Sequence, residues 1–131
     1  MAARGHKLGK VFTFCAAPLL KKIPFPSVQA DIILDDNEFL LNEFGIDGKI
    51  LFTPGHTPGS ISVLLNTGEA FVGCLAHNNI IFTRRPGLPI FAEDPAKIKE
   101  SWKILINQGA KIIYPGHGGS FSIERIIKYL Q

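Results

Sequence analysis

Apolar and polar residues alternate through the first half of the chain in the pattern of short β-strands. Segment 28–34 carries an apolar residue at every second position, which is the spacing of one strand face. Segment 39–44 is short and ambiguous. Asp47 and Gly48 then predict a tight turn that leads into a strand over 49–52. The first half is therefore expected to form a meander of strands.

The centre of the chain has the pattern of a β-hairpin followed by a long irregular loop. Segments 60–65 and 69–72 are strand-like and flank a turn of Asn, Thr and Gly at 66–68. The second strand is expected to end near Cys74. Glycine and proline between 85 and 89 then predict an irregular loop, and such loops often carry specificity.

Helical spacing is clear only in the last third of the chain. Asp94 is a predicted N-cap with Pro95 at the first helical position, and Gly109 predicts a left-handed end. A strand over 111–114 and a last helix from Ser122 follow. Both helices have one apolar face, which needs a sheet to cover it. The predicted fold class is α+β, with one mostly antiparallel sheet and helices on one face.

Length and composition predict one globular domain over 1–131, because 46% of the residues are hydrophobic. The formal net charge is +3, and the basic residues are scattered rather than interleaved with aromatic ones, so no nucleic acid partner is expected. No apolar run approaches the ~18–20 residues of a membrane span, so no membrane partner is expected.

The first twenty residues resemble a secretory signal, because basic residues precede an apolar stretch at 11–20. Lys21 and Lys22 follow at once, and no small-x-small cleavage pattern is well placed. A strand over 11–14 and a helix over 17–22 explain the same residues. The two cysteines also fit a reducing compartment better than a disulfide scaffold. We therefore expect a cytoplasmic protein.

Two histidines lie in rigid turns that directly follow apolar runs. His56 stands in Thr-Pro-Gly-His-Thr-Pro-Gly-Ser after the run 50–52, and His117 stands in Tyr-Pro-Gly-His-Gly-Gly after the run 111–113. Turns at strand ends present side chains to a shared site on one rim of a sheet. Either histidine alone would be an ordinary loop residue, but the repeated arrangement favours a metal site.

With Gly73-Cys74 after the hairpin, these turns resemble the last three metal motifs of the metallo-β-lactamase fold hydrolases. The resemblance runs from about Lys7 to the end of the chain and implies half of an αββα metallo-β-lactamase sandwich. It implies that His56 corresponds to a ligand of the first metal and His117 to a ligand of the second. Cys74 stands where an aspartate normally bridges two metals.

The chain departs from the family pattern at its main signature. The H-x-H-x-D-H motif, which supplies most of the ligands in the family, has no counterpart, and only His6 precedes His56. Family catalysis depends on an activated metal-bound hydroxide. We therefore expect a truncated, degenerate or partial metallohydrolase that is inactive or weakly active as an isolated chain. It would bind one transition metal, with zinc as the candidate, through His56, Cys74 and His117.

Cys74 admits two interpretations. A thiolate is a good zinc ligand and suits a single nitrogen–sulfur site better than a hard bridged pair. Since His77 follows at Cys-x-x-His spacing, it would complete a closed four-ligand site with His56, Cys74 and His117. Alternatively, Cys74 is a small buried apolar residue without a metal. The sequence leaves both interpretations open.

A second function class is a non-catalytic interaction module. In the full family fold, each sheet is covered by helices on one face and by the opposite half on the other. Here the predicted helices cover one face only, and alternate residues of 28–34, 49–52 and 60–65 would leave an apolar patch on the other. We therefore expect a homodimer, or pairing with a complementary half-domain chain.

Overall fold

The computed structural model describes residues 27–78 and 85–130. In this part of the chain, the strands form one six-stranded sheet whose spatial order follows the sequence. Its strands are β1 (Phe39–Leu40), β2 (Gly48–Phe52), β3 (Ile61–Leu65), β4 (Glu69–Gly73), β5 (Ile112–Pro115) and β6 (Phe121–Ser122). A 3-10 helix and two α-helices complete the elements: Asn42–Phe44, α1 (Pro95–Asn107) and α2 (Glu124–Ile127).

The sheet is mostly antiparallel, as expected, and the α+β class is confirmed. β1 to β4 form an antiparallel meander, and β5 pairs with β6 in the same way. Only β4 and β5 run parallel, because the chain crosses over through α1 between them. Over the described residues, no helix is long and apolar enough to cross a membrane.

Helix α1 covers one face of the sheet and forms the core with it. Ile98, Trp102 and Leu105 lie on one side of α1 and are 0% exposed. The sheet residues that pack with them are Leu51, Leu64, Ala70, Val72 and Ile113. The predicted caps are confirmed: the Asp94 side chain accepts hydrogen bonds from two backbone N–H groups, and Gly109 has φ +89°.

The opposite face of the sheet carries a second set of apolar side chains. Five of these residues are partners on adjacent strands and form one row across the sheet: Phe39, Ile50, Val63, Phe71 and Tyr114. We call this row, with Ile61 and Ile112 beside it, the open face. The rings of Phe71 and Tyr114 stack at 5.0 Å, yet 45% of Phe71 and 38% of Tyr114 are exposed. No helix of the described ranges packs on this face.

Two predicted elements differ from the structure. Segment 28–34 is not a strand: it pairs with no strand of the described sheet, in which β1 is the neighbour of β2, and Val28 and Ile33 are almost fully exposed. The last helix is only Glu124–Ile127, because Phe121 and Ser122 pair with β5 as an additional strand. The strand predicted at 11–14 and the helix predicted at 17–22 lie outside the described residues.

The N-cap of α1 generates the first prediction. Asp94→Ala removes the side-chain oxygen that accepts the N–H groups of Ala96 and Lys97 at 3.0 and 3.1 Å. We expect the free energy of unfolding to fall by about 1 kcal/mol in urea titrations. Glu93→Ala is the matched control, because it removes an exposed carboxylate one residue earlier and should change stability by less than ~0.5 kcal/mol. Equal losses in both variants would contradict the assigned cap.

Candidate metal centre

His56 lies in the turn that joins β2 to β3, and this turn is attached to the start of α1. Backbone N–H groups of Asp94 and Glu93 donate to the carbonyls of Gly55 and His56 at 2.9 and 3.3 Å. The His56 Nδ1 atom lies 2.7 Å from the Phe91 carbonyl oxygen. Because a carbonyl only accepts, Nδ1 is the donor in this contact, and Nε2 is the ring nitrogen that the contact leaves free.

Cys74 and His77 lie on the segment that follows β4. Trp102, which lies on the buried face of α1, donates its indole N–H to the Leu75 carbonyl at 3.1 Å. His77 exchanges two backbone hydrogen bonds with Gly87, both at 3.1 Å, in an isolated β-bridge. Two independent contacts therefore fix the backbone on which both side chains stand.

His117 lies in the turn after β5. Since β4 and β5 are parallel, both strands end at the same edge of the sheet. The Gly116 N–H donates to the Gly73 carbonyl at 2.7 Å, and the Asn78 N–H donates to the His117 carbonyl at 3.2 Å. The Asn78 side-chain amide adds a donor bond to the Gly119 carbonyl at 2.9 Å. These bonds hold the His117 turn against the segment that carries Cys74 and His77.

The result is a cluster of three side chains with metal-ligand atoms. One ligand atom each from Cys74, His77 and His117 lies within 4.8 Å of the other two. The two imidazole rings meet edge to face, with centroids 5.1 Å apart and an interplanar angle of 84°. Ligands of one tetrahedral zinc ion lie about 3.3–3.7 Å apart, given bonds of ~2.0–2.3 Å. Side-chain movements of the order of 1 Å would therefore suffice to close the site.

The His77 ring tests whether the cluster suits a metal. It is 5% exposed, and both ring nitrogens lack a hydrogen-bond partner in the described part of the chain. Burial, and then the charges of the nearby His117 and His56 imidazoles, lower the pKa of His77 to about 4. The ring is therefore neutral at pH 7 and offers a lone pair, which a metal ligand requires. The donor set fits a metal ion.

The structure thus groups Cys74 and His117 with His77, whereas the sequence predicted them with His56. His56 lies outside the group of mutually close ligand atoms, although it is near enough to affect the pKa of His77. Its role as a ligand stays a prediction. The Cys-x-x-His spacing was the signal for His77. Cys74 is a free cysteine of intermediate exposure.

The comparison with protein families agrees with this fold. The model of the metallo-β-lactamase superfamily matches residues 3–117. The match covers most of the chain, and the chain belongs to this superfamily.

Solved structures show the same fold. An archaeal metallo-β-lactamase superfamily protein from Sulfolobus tokodaii is 23% identical over 95% of this chain and 49% of its own, with a TM-score of 0.57. TTHA1623, solved in a di-iron-bound form, is 22% identical over 90% of this chain and 56% of its own, with a TM-score of 0.54. The DIM-1 metallo-β-lactamase is 22% identical over 88% of this chain and 51% of its own, with a TM-score of 0.57. The chain spans about half the length of these proteins.

The contact between the His117 turn and Asn78 generates the second prediction. Gly118 has φ +90°, and a Cβ added there would lie 1.4 Å from the Asn78 carbonyl oxygen. We expect Gly118→Ala to lower the free energy of unfolding by about 2 kcal/mol or more. It should also shift the NMR signals of the His77 and His117 rings.

Gly119→Ala is the matched control for this variant, because a Cβ at Gly119 meets nothing within 4 Å. It should leave the unfolding curve and the histidine signals close to those of the wild-type chain. Equal effects of the two substitutions would show that the close approach at Gly118 does not position the cluster.

Proposed function

We propose that this chain is a degenerate or partial metallohydrolase of the metallo-β-lactamase superfamily. As an isolated chain it binds one transition metal ion and has no appreciable hydrolase activity. The observation that carries the proposal is the convergence of ligand atoms from the ends of β4 and β5 within 4.8 Å. The presence of only two cysteines in the sequence supports a cytoplasmic location for the protein.

The donor chemistry supports one ion rather than a bridged pair. The cluster offers one thiol and two imidazoles, and it contains no carboxylate. Nitrogen and sulfur donors suit zinc, whereas bridged pairs of harder ions favour carboxylate oxygen. Because TTHA1623 was solved in a di-iron-bound form, iron is the metal to compare with zinc. A bound zinc ion would supply Lewis-acid chemistry at this edge of the sheet.

The side chains of the site can be assigned roles in metal binding even though no hydrolytic activity is expected. Cys74, His77 and His117 would hold the ion, and Asn78 positions the His117 turn through its backbone and side chain. The sequence lacks the H-x-H-x-D-H motif that would complete a family centre. Three ligand side chains do not by themselves position a substrate against a nucleophile.

The third prediction tests both parts of this proposal. Elemental analysis of the purified chain is expected to give about one zinc or iron ion per chain, because the site has three convergent donors. Assays with a thioester, a lactone, a β-lactam and a phosphodiester, each with added zinc, are expected to give no turnover above the buffer rate. Robust turnover that disappears in His56→Ala would contradict the assignment, and metal-free folded protein would contradict metal binding.

A second candidate function, the interaction module, is favoured by the open face. A whole aromatic side chain covers ~150–250 Å², so the exposed parts of Phe71 and Tyr114 come to about 60–110 Å² each. Ile61 and Ile112, 42% and 38% exposed, extend the same apolar surface. The whole face is then of the order of 300–600 Å², the size of the largest and often functional patches on monomers.

We propose a second copy of this chain as the occupant of the open face. Two copies packed face to face would bury about 1,000 Å² or slightly less in total, close to the lower limit of a specific interface. The face is apolar and uncharged along its central row, so it is complementary to itself under a two-fold axis. Sheets pack face to face at ~10 Å in such an arrangement. A separately encoded half-domain is the alternative occupant.

The fourth prediction concerns this association. Light scattering is expected to show a dimer at high micromolar concentration that dissociates on dilution, because the buried area is small. Phe71→Glu places a charge in the open face and should give a monomer. Ile104→Glu is the matched control: Ile104 is 38% exposed on α1, away from that face, and its substitution should leave the dimer intact. A wild-type monomer at every concentration would overturn self-pairing.

A further inference from the structure

We propose that residues 1–26 of this chain bind, within the same molecule, to an acidic and apolar surface formed by residues 27–47. We call residues 27–47 the acidic surface. Residues 1–26 themselves lie outside the described residues. The inference goes beyond the proposed function, because it involves neither the metal ligands nor hydrolysis.

Charge is segregated between these two neighbouring stretches of the chain. Residues 1–26 carry five basic side chains and no acidic one, whereas residues 27–47 carry six acidic side chains and no basic one. The basic residues are Arg4, Lys7, Lys10, Lys21 and Lys22, and the acidic residues are Asp31, Asp35, Asp36, Glu38, Glu43 and Asp47. The formal net charge of +3 for the whole chain conceals this segregation. The two stretches are therefore electrostatically complementary.

The acidic surface also exposes large apolar side chains. Val28 and Ile33 are 88% and 89% exposed, which leaves almost their whole side chains in water. The other large apolar residues that this surface exposes are Ile32, Leu40, Phe44 and Ile46. Single exposed apolar residues are ordinary, but a concentration of them in one stretch indicates a surface that a partner covers.

Several carboxylates of the acidic surface are available to bind cations. Glu38 pairs with Lys49 at 2.8 Å, which is the ion pair found within the described ranges. Asp31, Asp36 and Glu43 are exposed, and their carboxylates have no hydrogen bond or ion pair to other described residues. Carboxylates of like charge repel one another, so bound cations would stabilise this stretch.

The occupant of such a surface has to supply apolar and basic side chains together. Residues 1–26 do so, because the apolar stretch 11–20 lies between Lys7 and Lys10 on one side and Lys21 and Lys22 on the other. Nucleic acids and anionic membranes carry the same sign of charge as the acidic surface and are repelled by it. The chain thus contains a segment of the required chemistry.

The covalent connection favours binding within one molecule over binding to a second copy. Lys22 and Asp31 are nine positions apart in the sequence, which is at most ~30 Å of extended chain. A short connection gives an effective concentration of the millimolar order. Exposed ion pairs are individually weak, so they hold a tethered segment much better than a separate molecule at micromolar concentration.

The fifth prediction is tested by carbodiimide coupling of the full chain, which joins a lysine amine to a carboxylate in contact with it. An equimolar mixture of ¹⁴N- and ¹⁵N-labelled chains is coupled at low salt and mapped by mass spectrometry. We expect amide links from Lys21 or Lys22 to the acidic surface, each within a single isotopic label. Lys49 and Glu38 are the positive control, because they form an ion pair. The exposed lysines of α1 are the negative control and should give about tenfold fewer links to this surface.

A second measurement shows whether the carboxylates hold the segment. Trypsin cleaves after Lys22, and binding should protect that peptide bond. Asp31→Asn combined with Asp36→Asn removes two unpaired charges and should accelerate this cleavage about threefold or more at low salt. Glu100→Gln combined with Glu124→Gln is the matched control, because it changes the net charge equally at exposed helical positions and should leave the rate unchanged. About 0.5 M NaCl should remove the difference by screening.

The outcomes separate the possible occupants. Links within one isotopic label, with faster cleavage only in the variant of the acidic surface, support the proposal. Links that join the two labels assign the surface to residues 1–26 of a second copy and overturn binding within one molecule. Absence of links from residues 1–26, or equal cleavage rates in the two double variants, overturns the docking altogether. None of these outcomes depends on a metal ion, so the proposed function stands or falls separately.

Discussion

The parallel pairing of β4 with β5 is the constraint on which the candidate site depends. Antiparallel neighbours end at opposite edges of a sheet, whereas parallel neighbours end at the same edge. The segment with Cys74 and His77 therefore leaves the sheet beside the turn with His117, although about forty positions of sequence separate them. The hydrogen bond from Gly116 to Gly73 closes the two strand ends against each other.

The parallel pairing is in turn made by α1. A crossover between parallel neighbours needs a long connection, and here the connection is a helix whose apolar side packs on the same strands. Trp102 shows how closely core and site are coupled, since its ring is fully buried while its N–H donates to Leu75 between Cys74 and His77. Ser101, one residue earlier, donates to the Pro54 carbonyl in the His56 turn. Helix α1 thus packs in the core and also holds the His56 turn and the segment that carries Cys74 and His77.

Local patterns predicted the elements whose signals come from nearby residues. The β3–β4 hairpin and the capped helix α1 are confirmed, because turn residues and caps act within a few positions of the chain. Segment 28–34 has the alternation of a strand but does not pair with the described sheet, and alternation cannot show whether pairing occurs. The Phe121–Ser122 strand was missed for the converse reason, since pairing with β5 defines it.

The superfamily, the fold class and the two strand-end turns follow from short motifs and from periodicity in the sequence. Which ligand atoms meet depends on how the strands are arranged in space. His56 and His117 have similar local sequences, yet His77 is the imidazole that stands beside His117 and Cys74. The physical reason is that meeting across a sheet edge depends on strand order and on the backbone bonds of Asn78, and no local pattern encodes these.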